Sequence, residues 1–344
     1  NFVARIIKNI MDSNSVQKIL IIIVSRIGDT LLTTPAIESI SGHYKDAEIT
    51  VLAHPKRYTV LQHLPFVHNV SSISKNTAIW KGRFGKVYDL AFVYGYDESL
   101  VLYAIRVSNR VIAFEQSDKR INNKLYRAVK FPTSQGKHFV DLWMTLPHSI
   151  NVNTITKRLS LFITKEEQLF AENTLIKSGL DNKLLIGLQV ASFPTKAYRD
   201  WPIEYFLELC NKIINKYQNA HFLIYGGCAE KEKEKSSWLF DNLKGYATSF
   251  VGMPLRETAA IMSKTHLYIG VDTGPTHIMS TFDIAMVVLF HCQLKSKNYG
   301  ALDHPRYFAI DHPNIRDCSE ESAMSEVSVQ TVFDTVCKAL GDNK

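Results

Sequence analysis

KILIIIVSRIGDTLLTTPAIESI, residues 18–40, decides how the rest of the chain is read. The apolar, β-branched run from Leu20 to Val24 has the composition of a strand buried on both faces. It stops at a polar elbow, Ser25-Arg26-Ile27-Gly28-Asp29-Thr30, and an amphipathic helical pattern follows. That helix is expected to begin at Thr30, with Asp29 at or near its N-cap. Gly28 is expected to permit a tight turn and close approach of a ligand to the backbone. Pro35, one turn further on, marks a bend or a restart. In open parallel sheets ligands bind beyond the carboxyl ends of the strands. Asp29 can therefore be a capping carboxylate or a general base beside a ligand.

The alternation recurs along the chain. Further strand candidates are EITVLAH, NVSSIS, DLAFVYG and RVIAFE in the first half, and LLIGLQVA, AHFLIYGG, ATSFVG, HLYIGVD and AMVVLFH in the second. Helical patterns fall at 30–44, 97–107, 202–217, 229–243 and 255–264. Strand–helix alternation implies α/β architecture with parallel sheets covered on both faces. Two such sets, separated by a polar helical stretch around 164–182, imply two Rossmann-like domains in series, with the boundary between Leu161 and Lys183. A length of 344 residues agrees with two domains.

Bulk properties exclude some classes. The formal charge of +7 suits an anionic substrate, an anionic membrane or nucleic acid. Aromatic residues are not interleaved with a basic stripe, so no nucleic-acid partner is expected. The five cysteines, Cys210, Cys228, Cys292, Cys318 and Cys337, are scattered without a C-x-x-C pair. Neither a disulfide nor a structural zinc is expected from them, and a reducing compartment is. No apolar stretch reaches the roughly 18 residues needed to span a bilayer, and signal-peptide anatomy is absent. The expected location is cytoplasmic. No H-E-x-x-H or other compact spacing points to a metal site, so no metal is expected. The lone histidines His43, His54, His63, His68 and His221 read as surface or packing residues. Neither G-x-G-x-x-G nor G-x-x-x-x-G-K-[ST] occurs after a leading strand, which disfavours a dinucleotide dehydrogenase and a P-loop NTPase.

Three more polar elbows follow strands. In LQVASFPTKAYRDWP, 188–202, Ser192, Lys196 and Arg199 bring a hydroxyl and two cations to a strand's carboxyl end, which fits a phosphate site as well as a solvated basic loop. In YGGCAEKEKEK, 225–235, Glu230 and Glu232 open a helix, where they favour the macrodipole and could equally bind ribose hydroxyls. In HLYIGVDTGPTHIMSTF, 266–282, a strand ends at Asp272 and Thr273-Gly274 turn the chain into a helix that carries Pro275 and His277 in its first turn. That gathering suits an anion such as a diphosphate.

KILIIIVSRIGDTLLTTPAI followed much later by VDTGPTHIMS resembles the ADP-heptose:lipopolysaccharide heptosyltransferases, glycosyltransferase family 9. VYDLAFVYG, GKHFVDLWMTL, RDWP, YGG and FVGMPLRETAAIMSKTHLYIGVDTG follow in the family's order, so the likeness extends over nearly the whole chain. The resemblance implies a GT-B fold, two Rossmann-like domains facing a central cleft. Residues 1–170 would form the acceptor domain and 171–325 the nucleotide-sugar domain, with 326–344 a C-terminal helix packing back on the first. It implies transfer of heptose from ADP-heptose to a Kdo or heptose acceptor in the lipopolysaccharide inner core. Asp29 matches the catalytic carboxylate, and Arg199, with Lys196 as neighbour, a cation facing the donor phosphates. Asp272, Thr273, Gly274 and His277 match the diphosphate- and sugar-binding turn, and Met253 lines the adenine pocket. Ser192 and Glu230 are the remaining donor-side candidates; Arg26 and Gly28 are those on the acceptor side.

Two departures stand out. The Gly-Pro-Thr-x-Pro type loop common after AMVVLFH is replaced by CQLKSKNYGALDHP, near the donor sugar. VYGYDES stands where a carboxamide or carboxylate often directly follows the strand. The expected chemistry is inverting transfer, with Asp29 taking the acceptor's proton, cations stabilising the departing diphosphate and no metal required. A GT-B enzyme using another nucleotide sugar, or a non-catalytic binder of one, are the alternatives. At the N-terminus Phe2, Val3, Ile6, Ile7, Ile10 and Met11 recur at helical spacing with Arg5 and Lys8 among them. That pattern fits a helix packed on the first domain, or one adsorbed on the inner membrane where a lipid-anchored acceptor is presented.

Overall fold

The computed structural model describes residues 16–80, 85–133, 136–314 and 318–342. The N-terminal amphipathic segment lies outside them. Two compact units meet in sequence between Phe162 and Ile163.

The first unit is built on a six-stranded sheet: β1 (Lys18–Ile23), β2 (Glu48–Ala53), β3 (Asn69–Ser72), β4 (Tyr88–Tyr94), β5 (Ser108–Phe114) and β6 (Arg127–Val129). The order β3-β2-β1-β4-β5-β6 is the doubly wound Rossmann order, and every pairing is parallel. Ile19 to Ile23 are buried because β1 is central and covered on both faces. Its last residue, Ile23, is in register with Ala53 on one side and Tyr94 on the other. The strand order reverses between β1 and β4, so the crevice beyond their carboxyl ends is this unit's natural ligand site.

The second unit repeats the plan with β7 (Leu184–Gln189), β8 (Ala220–Tyr225), β9 (Ala247–Ser249), β10 (Leu267–Val271), β11 (Ala285–Phe290) and β12 (Tyr307–Asp311). Its order, β12-β11-β10-β7-β8-β9, is again Rossmann-like and parallel, and the reversal falls between β7 and β10.

The division falls inside the expected window of Leu161 to Lys183, a few residues ahead of the 170/171 boundary, while the expected place of the C-terminal helix changes. The segment after Asn151 belongs to the first unit, because Ile155 N–H donates to Ser39 Oγ and Ser160 N–H to Thr34 Oγ1, pinning it along the helix Thr34–His43. The helix Lys165–Lys177 starts with a capping box from Thr164 and Glu167. It belongs to the second unit, through Glu167–Arg256 at 2.5 Å and Glu172–Lys264 at 2.6 Å. The division thus precedes residue 170. The C-terminal helix, expected on the first domain, packs within the second. Val329, Val332 and Val336 form an i, i+3, i+7 stripe in that unit's core, against β11 and the helix Ile203–Lys216. Trp201 Nε1–H anchors the segment before it by donating to the Val327 carbonyl at 2.9 Å.

The cysteine reading is also corrected. Cys292 and Cys318 form a disulfide, with Cα atoms 5.7 Å apart, inside the range a bridge requires. Cys210 and Cys337 are buried and free, and Cys228 is exposed. No helix among the described residues is long and apolar enough to cross a membrane.

Candidate active-site residues

In the first unit the elbow after β1 forms a helix earlier than expected. The helix Ile27–Leu32 starts with Arg26 as N-cap and places Asp29 in its first turn. Asp29 is therefore not the capping residue, and Gly28 lies inside the helix rather than in a left-handed turn. Thr33 ends this helix and Thr34-Pro35 begin the next, the restart that Pro35 signals. The Asp29 carboxylate accepts a hydrogen bond from Ser25 Oγ at 2.6 Å, four residues back. It has no ion pair among the described residues, and it is half-exposed.

Sequence reasoning passed over Arg57, in the loop after β2. Its Nη1 donates to the Ser25 carbonyl at 2.8 Å, tying the two loops together. Burial and the charge of Arg26 lower its pKa, while the Asp29 carboxylate acts in the opposite direction. One carboxylate with two neighbouring guanidiniums suits an acceptor that carries negative charge and must give up a proton. HPKR, a basic loop at a strand's carboxyl end, is the signal that could have found Arg57.

In the second unit the loops after β7 and β10 flank the switch point, and their side chains meet. Arg199 Nη1 lies 3.7 Å from Asp272 Oδ2, and His277 Nε2 lies 3.5 Å from Asp272 Oδ1. Asp272 is buried, and its Oδ1 accepts no hydrogen bond among the described residues. Thr273 caps the helix Gly274–Met279 without a side-chain bond to its backbone N–H groups, its hydroxyl lying 3.4 Å from Thr276 Oγ1. Thr276 Oγ1 lies 2.6 Å from the Val271 carbonyl and 2.8 Å from Tyr268 Oη, which fixes the turn. That helix has only six residues, so its macrodipole is small and any positive field at the turn comes chiefly from nearby side-chain cations.

The cations are close. Lys196 Nζ and the Arg199 guanidinium lie 5.4 Å and 5.6 Å from the centre of the Tyr198 ring. Tyr198 in turn meets the His291 ring edge-on at 4.9 Å. His291 Nε2 is held by the Ser322 carbonyl at 3.1 Å, and burial lowers its pKa. Ser192, a donor candidate, is engaged internally: Asp200 Oδ1 accepts from its N–H at 2.7 Å and lies 2.6 Å from its hydroxyl. Asp200 also pairs with Lys235 at 2.7 Å. Glu230 opens the helix Glu230–Asn242 and is exposed. The carboxylate folded into this elbow is Glu232, which accepts from Gly227 N–H at 2.8 Å. Burial raises its pKa, and the charge of Asp200 adds to the rise. Met253 is half-buried beyond Gly252, whose N–H donates to the Gly226 carbonyl and so ties the β9 end to the β8 end. Asp200 and His291 were missed by sequence reasoning, though RDWP and LFHC put both just past β7 and β11.

The chain matches the family model for glycosyltransferase family 9 (heptosyltransferase) over residues 106–305. It is 23% identical over 322 residues to the lipopolysaccharide core heptosyltransferase OpsX of Haemophilus influenzae, covering 90% of this chain and 87% of that protein. A glycosyl transferase family 9 structure from Veillonella parvula aligns with a TM-score of 0.83 at 17% identity, covering 95% of this chain and 98% of that one. The E. coli ADP-heptose lipopolysaccharide heptosyltransferase II aligns with a TM-score of 0.75 at 15% identity, covering 94% and 98%. These structural likenesses give the fold: two parallel α/β domains of the GT-B class. The family match spans more than half of the sequence, and the chain belongs to glycosyltransferase family 9, the heptosyltransferases.

Proposed function

We propose that this enzyme transfers heptose from ADP-heptose to a Kdo or heptose acceptor of the lipopolysaccharide inner core, with inversion. Family membership supports heptosyl transfer, and the relatives above are named for lipopolysaccharide and ADP-heptose. One observation carries the mechanism. Asp29 stands just past the central strand of its sheet, oriented by a single hydroxyl and with no ion pair among the described residues. A carboxylate so held keeps a lone pair for the acceptor hydroxyl's proton. Arg26 and Arg57 beside it would hold an anionic acceptor, and the Gly28 backbone lies next to the base.

Donor binding falls to the second unit. Arg199 and Lys196 take the diphosphate and stabilise the charge that develops as ADP departs. Asp272, Thr273, Gly274 and His277 take the diphosphate-proximal oxygens and the sugar hydroxyls, with Met253 against adenine. Ser192 acts by shaping the loop, and Glu230 or its buried neighbour Glu232 meets the ribose. Because side-chain cations supply the positive field, transfer needs no metal; activity that survives chelation by EDTA tests this. The enzyme works on the cytoplasmic side of the inner membrane, with residues 1–14 as the peripheral contact.

A second reading has a specific motive. The loop after β11 departs from the family pattern, where the resemblance puts the donor sugar, and its Cys292 is bridged to Cys318. The donor would then be another nucleotide sugar. Turnover of ADP-, UDP- and GDP-sugars on a deacylated lipopolysaccharide core decides between them: ADP-heptose consumed only with acceptor supports the first reading, and preference for another donor supports the second.

A further inference from the structure

VYGYDES, which departs from the family pattern at the end of β4, forms the other wall of the first unit's switch point. Ile23 of β1 is in register with Tyr94 of β4. Ser25 and Tyr96 each stand two residues further on, so the elbow that orients Asp29 and the ring of Tyr96 leave from adjacent strand ends, about 4.8 Å apart in a sheet.

Tyr96 is held in place from both sides of the chain. Gly95 adopts φ +128°, a conformation that side chains other than hydrogen rarely take, and this turns the strand out of the sheet. Asp97 caps the next helix, Glu98–Val107, accepting from Ser99 and Leu100 N–H. The ring itself lies in a tilted stack on Phe114, with centroids 5.9 Å apart and planes at 30°. The edge of Phe131 packs at 5.6 Å. Behind them Phe114 meets Trp143 at 5.8 Å. Phe114 and Trp143 are buried, yet Tyr96 stays 55% exposed. A large aromatic ring, backed on one side and open on the other, thus follows the strand end that borders the switch point, where parallel sheets take their ligands.

We propose that Tyr96 is the stacking platform for a sugar ring of the acceptor, whose apolar C–H face lies on the open face of the tyrosine while its hydroxyl points to Asp29. The inference rests on the transferase reading above and adds the residue that sets acceptor recognition. A hydroxylated ring fits better than an acyl chain, because the neighbouring β1 strand end leads into the charged elbow of Arg26 and Asp29, to which Arg57 is tied through the Ser25 carbonyl.

The test is steady-state kinetics with ADP-heptose and deacylated lipopolysaccharide core, together with calorimetric titration of the same core without donor. Tyr96→Ala should raise the acceptor KM about tenfold, on the scale of losing one buried aromatic contact, and leave the donor KM and ADP affinity unchanged. Tyr96→Phe should behave as wild type, and Tyr96→Leu should resemble the alanine variant. An unchanged acceptor KM in Tyr96→Ala, with heptose transfer intact, would overturn the platform and leave the transferase reading standing. A leucine variant equal to wild type would overturn ring stacking in favour of a merely apolar contact. If wild type transfers no heptose but core binding is lost in Tyr96→Ala, the transferase reading fails and the platform stands; equal core binding in wild type and variant overturns the platform.

Discussion

Replacing Arg199 separates its two roles. Its guanidinium lies 3.7 Å from buried Asp272, and both side chains are largely hidden, 17% and 7% exposed. The pair is too long for a strong hydrogen bond, so Arg199 is not saturated by Asp272 and retains donors for a phosphate. Loss of one charge-assisted bond to phosphate costs roughly 1.5–3 kcal/mol, which is about 10- to 150-fold in the dissociation constant. Arg199→Ala should weaken ADP and ADP-heptose by that factor and leave adenosine nearly unchanged. It should also lower stability, because Asp272 is left without its cation in a buried position. Adding Asp272→Asn should restore the stability but not the ADP affinity. Arg199→Lys should fall between, keeping the charge and losing the planar fork. Calorimetry with ADP and adenosine, paired with thermal unfolding, measures all of this. Equal losses for ADP and adenosine, or recovery of ADP affinity in the double variant, would refute a phosphate contact.

Three further outcomes follow from other parts of the molecule. Glu232 has a pKa raised above 4.5 by burial and by Asp200, so its proton favours the folded state and this stabilisation is lost as pH rises through the raised value. Glu232→Gln should match wild type in stability below about pH 4.5 and exceed it at pH 7–8; thermal melts across that window check it, and an equal offset at every pH would contradict the assignment. Opening the Cys292–Cys318 bridge, which spans 26 residues, should cost up to ~3.5 kcal/mol by the chain-entropy account. Denaturation of wild type should then respond to reductant and that of Cys292→Ser should not, whereas a wild type indifferent to reductant contradicts the bridge's contribution. Residues 1–14 should carry salt-sensitive adsorption to anionic vesicles, at about 1 kcal/mol per basic residue near the surface. Co-sedimentation that persists unchanged without them would assign adsorption elsewhere.

The central strands were legible because burial on both faces leaves a plain mark: Ile19–Ile23 and Ala285–Phe290 are unbroken apolar runs. The edge strands β6 and β12 were not, since Arg127–Val129 and Tyr307–Asp311 are partly exposed and carry no such run. Polar elbows could be found from the rule that parallel sheets bind ligands at their carboxyl ends, which located Asp29, Arg199 and Asp272. The partners that orient them were hidden, because Arg57 reaches Ser25 from 32 residues away and Lys235 reaches Asp200 from 35. The start of the Ile27–Leu32 helix was misjudged by three residues, since Ile27 and Gly28 are weak helix signals and no cap side chain announces Arg26. A disulfide between Cys292 and Cys318 has no spacing signature; only the fold brings β11's end beside that distant loop. The C-terminal helix shows its valine stripe in sequence, but not which sheet the stripe will cover.

The general-base role of Asp29 is the central claim, and the turnover of Asp29→Asn tests it most directly. The substitution keeps a hydrogen-bond acceptor for Ser25 Oγ and removes the basic lone pair. Single-turnover transfer from ADP-heptose to deacylated core, with ADP affinity measured alongside, should show at least ~100-fold slower chemistry and unchanged ADP binding, the scale of a lost general base. Transfer at the wild-type rate by a folded, ADP-binding Asp29→Asn enzyme would contradict the account.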